Sequence, residues 1–345
     1  TLSLHDALPI YTPIKFLEEM INSVKAQTYG NWELCLADGS DAEHCEVEKV
    51  CRRYASHDSR IKYEKLEKNL GISENTNACI RMAAGDYIAL FDHDDILHPS
   101  ALFEVMRAIC EKGADMIYTD ENTFSTIPEE GYCPHFKPDF CPDTLRSYNY
   151  ICHLTVFKKT LLEEIGGGFR KEYDGSQDYD IILRLTEKAK NIVHIPKILY
   201  FWRSHQKSVA SDISAKPYTV VAAKKALSAH LERVGLKGEV KDSAYLSTYK
   251  INYEIEGTPL VSVIIPNKDH TDILKQCLDS IYKLTTYPNF EIIIVENNST
   301  EEETFKFYGE IEKKYQNLKV VTWEYEFNYS KINNFGFKFT KGEHI

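Results

Sequence analysis

The chain has 345 residues, of which 43% are hydrophobic, and it carries a formal net charge of −11. This length and apolar content are enough to bury a sizeable core in more than one structural unit. The excess of acids is inconsistent with a nucleic-acid partner, because neutralising phosphates requires clustered lysines and arginines. No apolar run reaches the roughly 18 residues of a membrane-spanning helix, and no signal-peptide pattern is visible near the start. We therefore expect a cytoplasmic protein, with peripheral attachment to the inner face of the plasma membrane left open.

The first ten residues form a segment that we treat separately. Their sequence, Thr-Leu-Ser-Leu-His-Asp-Ala-Leu-Pro-Ile, matches a translation of a common DNA-sequencing adapter. A segment of this kind, like a cloning scar, is not expected to contribute to a native fold. We therefore expect residues 1–10 to be non-native and the first unit to lack the strand with which its fold would begin.

Apolar periodicity in residues 11–215 predicts alternating helices and strands. Ile14, Leu17, Ile21 and Val24 recur at helical spacing. Short apolar runs typical of buried strands follow, and each run ends at an acidic residue. These runs and their acids are 34–37 with Asp38, 87–91 with Asp92, and 116–118 with Asp120. Because open α/β sheets bind ligands beyond the carboxyl ends of their strands, these acids are candidates for one shared site.

A long-range internal repeat divides the chain. Leu17 to Val24 and Trp32 to Asp38 are echoed by Leu274 to Ile281 and Phe290 to Glu296, and Gly85 to Ile88 is echoed by Gly342 to Ile345. We expect residues 11–215 to form the first unit and 216–256 to form its closing helix and a linker. Residues 257–345 are then the truncated beginning of a second unit. This segment stops before the counterparts of Asp92 and Asp94, so we expect it to have no activity of its own.

The strongest local pattern is the acidic turn Phe91-Asp-His-Asp-Asp95, which brings three carboxylates together after an apolar strand. Hard divalent cations prefer oxygen ligands, and a pair of aspartates at a strand end can hold one against a diphosphate. The alternative is that these acids only cap the next helix. We favour the metal interpretation.

Several further motifs occur in a fixed order around this turn. They are Ala37-Asp-Gly-Ser40, Asn69-Leu-Gly-Ile-Ser73 with Asn77, Phe136-Lys-Pro-Asp-Phe-Cys-Pro-Asp143, Asn149-Tyr-Ile-Cys-His153, Gln177-Asp-Tyr-Asp180 and Trp202-Arg-Ser-His205. Together with Asp92-His-Asp94, they resemble the family 2 glycosyltransferases, and tandem-domain enzymes of O-antigen, rhamnan and capsule synthesis in particular. The resemblance covers residues 11–255, and residues 259–345 resemble the opening of another such domain. It implies an α/β GT-A fold with a mixed, Rossmann-like sheet, followed by a partial second copy.

The resemblance also implies a role for each matching residue. Asp38, Asp92 and Asn77 would bind the donor, a nucleotide-diphospho-sugar. Asp94 and His205 would hold a divalent metal, Mn²⁺ or Mg²⁺. Asp120 and Glu121 would face the acceptor, a polysaccharide or lipid-linked glycan. Asp178 would act as the general base of an inverting transfer, because an acceptor hydroxyl needs a carboxylate to take its proton; its alternative role is that of a helix N-cap.

Other functions are weaker explanations of the same residues. A nucleotide-sugar binder without turnover remains open, because the expected loss of the first strand would impair the fold. Nucleotidyl transfer and glycoside hydrolysis also use paired acids, but neither needs the whole set of motifs. The nine cysteines are not paired in spacing, and Cys133, His135, Cys141, Cys152 and His153 match no zinc knuckle. No Gly-x-Gly-x-x-Gly motif supports a dinucleotide-dependent oxidoreductase.

Overall fold

A computed structural model describes residues 1–8, 13–204 and 217–345 of the chain. The described residues form two compact units, Thr1–Tyr253 and Glu254–Ile345. The division lies close to the Gly257-Thr-Pro259 segment, and residues 217–253 belong to the first unit. In the described ranges, no helix has both the length and the apolar character needed to cross a bilayer.

The first unit is built on a mixed sheet of nine strands in the described ranges. Its order is β3-β2-β1-β4-β8-β6-β9-β5, and β7 pairs with β6. The strands are β1 Leu2–Leu8, β2 Trp32–Asp38, β3 Ile61–Lys65, β4 Tyr87–Leu90, β5 Ile96–Leu97, β6 Met116–Phe124, β7 Cys133–His135, β8 Thr155–Lys158 and β9 Ile192–Arg203. Strands β1 to β4 run parallel to their neighbours among themselves, while β8 is antiparallel to both β4 and β6.

Helices cover both faces of this sheet, and a separate apolar core lies on each face. One core contains Leu17, Leu34 and Leu102, and the other contains Ile88, Phe157 and Ile181. The helices are α1 Ile14–Lys25, α2 Cys45–His57, α3 Ile72–Met82, α4 Ala101–Lys112, α5 Pro142–Ser147, α6 Thr160–Glu164, α7 Gln177–Lys188 and α8 Pro217–Arg233. A hairpin of β10 Gly238–Asp242 and β11 Tyr249–Tyr253 completes the unit.

The expectation that the first unit lacks its first strand is wrong. Residues Leu2–Leu8 form β1, which lies between β2 and β4 in the middle of the parallel half of the sheet. The physical reason is the alternation of the segment, because Leu2 and Leu4 are both fully buried in the core. The adapter-like residues therefore have the pattern that a buried strand requires.

Ser3, between these leucines, joins three parts of the sheet. Its Oγ donates to the Glu33 carboxylate on β2 and accepts from the Gly85 backbone N–H at 2.9 Å. Glu33 also accepts from the Gly85 N–H at 2.9 Å and pairs with Lys62 on β3 at 2.6 Å. Partial burial raises the pKa of Glu33, but hydrogen bonds from Lys62, Ser3 and two backbone amides lower it to about 2.

The second unit repeats this arrangement. Its parallel strands are β12 Val261–Asn267, β13 Phe290–Glu296 and β14 Leu318–Thr322, and its helices are α9 Thr271–Leu284, α10 Glu302–Lys314 and α11 Tyr329–Phe337. Ser262 Oγ donates to Glu291 at 2.7 Å and accepts from the Gly342 N–H at 2.9 Å. The internal repeat thus extends to individual hydrogen bonds, with Ser3, Glu33 and Gly85 as the counterparts.

The position of β1 can be tested with Gly85→Ala. An added Cβ would lie 2.4 Å from Ser3 Oγ and 2.7 Å from the Thr1 carbonyl oxygen, so it would push against the start of β1. We expect a loss of about 1–3 kcal/mol in the free energy of unfolding, measured by chemical denaturation. Gly30→Ala is the control, because nothing lies within 4 Å of a Cβ there. Equal stability of the two variants would contradict the described position of β1.

A second test uses the pH dependence of Glu33. Its pKa is lowered to about 2 in the folded state, so its stabilising contribution is present above its ordinary pKa of about 4.5 and is lost as the pH falls toward 2. Glu33→Gln should therefore be less stable near pH 6, by an amount on the order of 3 kcal/mol, and the difference should shrink during acidification. Denaturation curves between pH 2 and 6 would measure this. Glu67→Gln is the exposed control, and parallel curves for wild type and Glu33→Gln would contradict the assignment.

Candidate active site

Asp38 ends β2 at the carboxyl edge of the sheet, as the sequence predicted. Its carboxylate is fully buried, accepts from the Ser40 N–H and the Tyr63 hydroxyl at 2.8 Å each, and lies 3.3 Å from Lys65 Nζ. Burial raises the pKa of Asp38, but the hydrogen bonds from Ser40 and Tyr63 and the charge of Lys65 lower it by more, so the pKa lies below its ordinary value. Asp38 is therefore an ionised group held firmly at this edge.

The acidic turn after β4 divides its three carboxylates into two environments. Asp95 is fully buried and accepts from the Tyr200 hydroxyl and, at 2.7 Å, from the Arg203 N–H. Burial, together with the charges of Asp94 and Asp92, raises the pKa of Asp95 well above its usual range. The Asp92 side chain is 58% exposed, and Asp94 is half-buried. Asp95 thus holds the turn in place while Asp92 and Asp94 lie nearer the solvent.

Arg203 is the side chain that fixes this turn to the rest of the unit. Its guanidinium donates from Nε to the Asp94 carbonyl oxygen at 2.5 Å and pairs with Glu19 on α1 at 2.7 Å. It also lies over the rings of Phe16 and Phe124, with centroids 4.3 and 4.5 Å away. This arginine has no role in the sequence-based predictions, although it occurs in the Trp202-Arg-Ser-His205 motif. His205 itself lies outside the described residues.

His153 connects the turn to strand β6, a role that the sequence did not predict. Its Nε2 lies 3.6 Å from Asp92 Oδ2, and its Nδ1 lies 3.0 Å from Glu121 Oε2. Its ring stacks on Tyr200 at 4.8 Å. Burial lowers the pKa of His153, but Cys152, Asp92 and Glu121 raise it by more, to well above the usual range. The signals in the sequence were its place in the Asn149-Tyr-Ile-Cys-His153 motif and its position among other cysteines and histidines.

The donor atoms of Asp92, Asp95 and His153 lie within 4.8 Å of one another. Two carboxylates and an imidazole suit a divalent ion such as Mn²⁺, so the residues fit a metal at this turn. Both oxygens of Asp95, however, are occupied by Tyr200 and Arg203. The more exposed Asp92 and Asp94 are therefore the better ligands, and the role of Asp94 stays a prediction.

Asp120 and Glu121 do not share a role. Asp120 was expected to end its strand, but β6 continues to Phe124 with a bulge against β9 at Asp120. The Asp120 carboxylate is buried and accepts from the Lys137 N–H at 2.9 Å, with His194 Nε2 at 2.8 Å. Its position at an open acceptor face is therefore not supported.

Glu121 lies at the site, but two histidines and a lysine surround its carboxylate. Its oxygens lie 3.1 Å from His135 Nδ1, 3.3 Å from Lys137 Nζ and 3.0 Å from His153 Nδ1. Burial raises the pKa of Glu121, but these three partners lower it well below its ordinary value. Glu121 therefore orients His153 and balances the buried ammonium of Lys137.

Asp178 is the second residue of α7, and Ser176 occupies the N-cap position. Its Oδ2 accepts from Asn149 Nδ2 at 3.1 Å and lies 3.7 Å from the Cys152 thiol. That thiol is 3.4 Å from His153 Nε2, so Asp178 and Asp92 belong to one network. Burial and the charge of Asp92 raise the pKa of Asp178, although the Tyr179 backbone and His153 oppose this rise.

The donor-binding role expected for Asn77 finds no support among the described residues. The Asn77 amide is occupied by Phe169, since Nδ2 donates to the Phe169 carbonyl oxygen and Oδ1 accepts from its N–H, both at 2.8 Å. Asn77 thus holds the loop before α7 and does not reach toward the turn.

Comparison with known proteins identifies the family of the chain. Residues 7–166 and 262–345 match the family model for glycosyl transferase family 2. The uncharacterized protein y4gI of Sinorhizobium fredii is 43% identical over 97% of this chain, and the O-antigen biosynthesis protein RfbC of Myxococcus xanthus is 35% identical over 99% of it. This chain spans only 37% and 27% of the length of those two relatives.

The crystal structure of S. aureus TarS 1–349 in complex with UDP-GlcNAc superimposes with a TM-score of 0.54. The likeness covers 67% of this chain and 66% of that chain at 16% sequence identity, so it speaks to the fold alone. The chain belongs to the family 2 glycosyltransferases and has the GT-A fold, followed by a partial second copy. The fold and the family that the sequence predicted are thus confirmed.

Proposed function

We propose that the first unit transfers a sugar from a nucleotide-diphosphate donor to a glycan acceptor, with inversion at the anomeric carbon. The observation that carries this proposal is the position of Asp178, a carboxylate of raised pKa in the same network as the acidic turn. A base with a pKa closer to neutrality takes a hydroxyl proton more effectively. The acceptor that we propose is a polysaccharide or lipid-linked glycan, and one relative, named as an O-antigen biosynthesis protein, supports a polysaccharide product. We place the reaction on the cytoplasmic side of the membrane.

In this mechanism the acceptor hydroxyl gives its proton to Asp178 while its oxygen attacks the anomeric carbon. The bond between that carbon and the diphosphate oxygen breaks, and its electron pair leaves with the nucleotide. Asp92 and Asp94 would hold a divalent ion, which would offset the charge of the departing diphosphate. Asp38 would hold the nucleoside end of the donor at the edge of β2.

The alternative of a binder without turnover has lost its main support. That interpretation depended on the absence of the first strand, and β1 occupies its place in the sheet. The carboxylates at the ends of β2 and β4 and at the start of α7 are all positioned on one framework. Catalysis is therefore the function that we propose for the first unit.

The base is tested with Asp178→Asn. We expect kcat to fall by about two to four orders of magnitude while the KM for the donor changes little, because the carboxylate acts on the acceptor proton. Steady-state transfer of a labelled nucleotide sugar would measure both constants. Glu172→Gln, an exposed acid just before α7, is the matched control. A rise in KM with unchanged kcat would contradict a role as base.

The metal assignment is tested with Asp94→Asn. We expect the affinity for UDP or GDP in the presence of Mn²⁺ to fall by about 10-fold or more, because one charged ligand is lost, while the unfolding transition changes little. Titration calorimetry with and without Mn²⁺ would measure this. Asp86→Asn removes an exposed charge from the other end of β4 and is the control. Unchanged Mn²⁺-dependent affinity would assign the ion to other ligands.

A further inference from the structure

Asn149 contacts the base directly and has no role in the mechanism so far. Its Nδ2 donates to Asp178 Oδ2 at 3.1 Å, and its Oδ1 accepts from the Cys152 N–H at 3.4 Å. Both polar ends of one half-buried amide are thus engaged, the first with the base and the second with the segment beside it. The Cys152 thiol approaches the same oxygen, Oδ2, at 3.7 Å.

The segment that carries Asn149 is held rigidly by its neighbours. Tyr150 is fully buried, its hydroxyl accepts from the Cys141 N–H at 2.9 Å, and its ring meets the edge of Tyr118 at 5.8 Å. The buried Lys137 ammonium also holds this segment, because it donates to the Ile151 carbonyl oxygen at 2.8 Å and to the His153 carbonyl oxygen. A side chain on so constrained a backbone can fix the orientation of its partner.

We propose that Asn149 is a positioning residue for the general base. By donating to Oδ2, it fixes the rotation of the Asp178 carboxylate and leaves proton acceptance to the other oxygen, Oδ1. This inference rests on the proposed function, since it assigns Asn149 a role only through Asp178. Orientation matters because a base must lie within hydrogen-bond reach of the proton that it removes.

A carboxamide is chemically suited to this task. Its N–H groups donate hydrogen bonds to a carboxylate but do not transfer a proton to it at neutral pH. The base is therefore held in place and stays ionised. The bond is charge-assisted, and such bonds are stronger than those between neutral groups. An aspartate in the same place would keep an acceptor for the Cys152 N–H but would repel Asp178.

The test compares Asn149→Ala and Asn149→Asp, each alone and combined with Asp178→Asn. We expect either Asn149 substitution alone to lower kcat by about 10- to 100-fold, the value of one hydrogen bond to a charged group, with the donor KM nearly constant. In the Asp178→Asn background, the same substitutions should change kcat by no more than about 2-fold, because their partner is gone. The measurements are steady-state kcat and KM, with thermal unfolding as the check on the fold.

The two Asn149 variants separate positioning from simple structure. Asn149→Asp is isosteric and keeps the contact with Cys152, so a structural role would leave its kcat near that of wild type. A wild-type kcat for Asn149→Asp, or equal losses in both backgrounds, would overturn the inference while leaving Asp178 as the base. If Asp178→Asn itself keeps the wild-type kcat, the proposed function fails and the role of Asn149 falls with it.

Discussion

The structure depends on the compensation of carboxylates that are withdrawn from water at the carboxyl edge of the sheet. A buried carboxylate without partners would take up a proton or destabilise the fold. Asp38 is compensated by Ser40, Tyr63 and Lys65, and Glu121 by two histidines and the buried Lys137. These partners come from several strands and loops, so the compensation also fixes the elements relative to one another. Because the chain has a net charge of −11, the stability of these buried carboxylates depends on the cations placed beside them and not on the total charge of the protein.

Much of the fold followed from the sequence because its signals are local. Helical spacing of Ile14 to Val24 predicted α1, and the apolar runs that end at Asp38 and Asp92 predicted β2 and β4. The prediction that the first strand is missing was wrong, because an adapter-like origin of residues 1–10 does not determine whether they form a strand. Ser3 makes the same hydrogen bonds in the first unit that Ser262 makes in the second, and Leu2 and Leu4 on either side of it are fully buried. A strand at this place in the sheet needs alternating apolar side chains and a small polar residue that can hydrogen-bond its neighbours, and residues 2–4 provide both.

The site was less predictable because it depends on contacts between residues far apart in the chain. Asp178 and Asp92 were found from motifs, but His153 and Arg203 gain their importance only from the partners that folding brings to them. Asp120 and Glu121 are adjacent in sequence, yet the bulge in β6 gives them separate partners. Asn77 belongs to a recognisable motif, and its amide still serves the loop at Phe169. Motif membership therefore indicates proximity to a site more reliably than it indicates contact with a ligand.

The acidic turn shows how three similar side chains acquire different properties within four positions. Asp95 is surrounded by Tyr200 and the Arg203 backbone, and burial together with two neighbouring negative charges favours its protonated form. Burial raises the pKa of Asp92, but the hydrogen bond and the charge of His153 lower it below its ordinary value. The backbone carbonyl of Asp94 is held by the Arg203 guanidinium. A cation that approached the turn would therefore meet carboxylates whose backbone is already fixed, so binding would require little reorganisation of the protein. Pre-ordering of this kind is what a metal site at the edge of a sheet needs, because the cost of bringing like charges together is met during folding by Arg203, Tyr200 and His153.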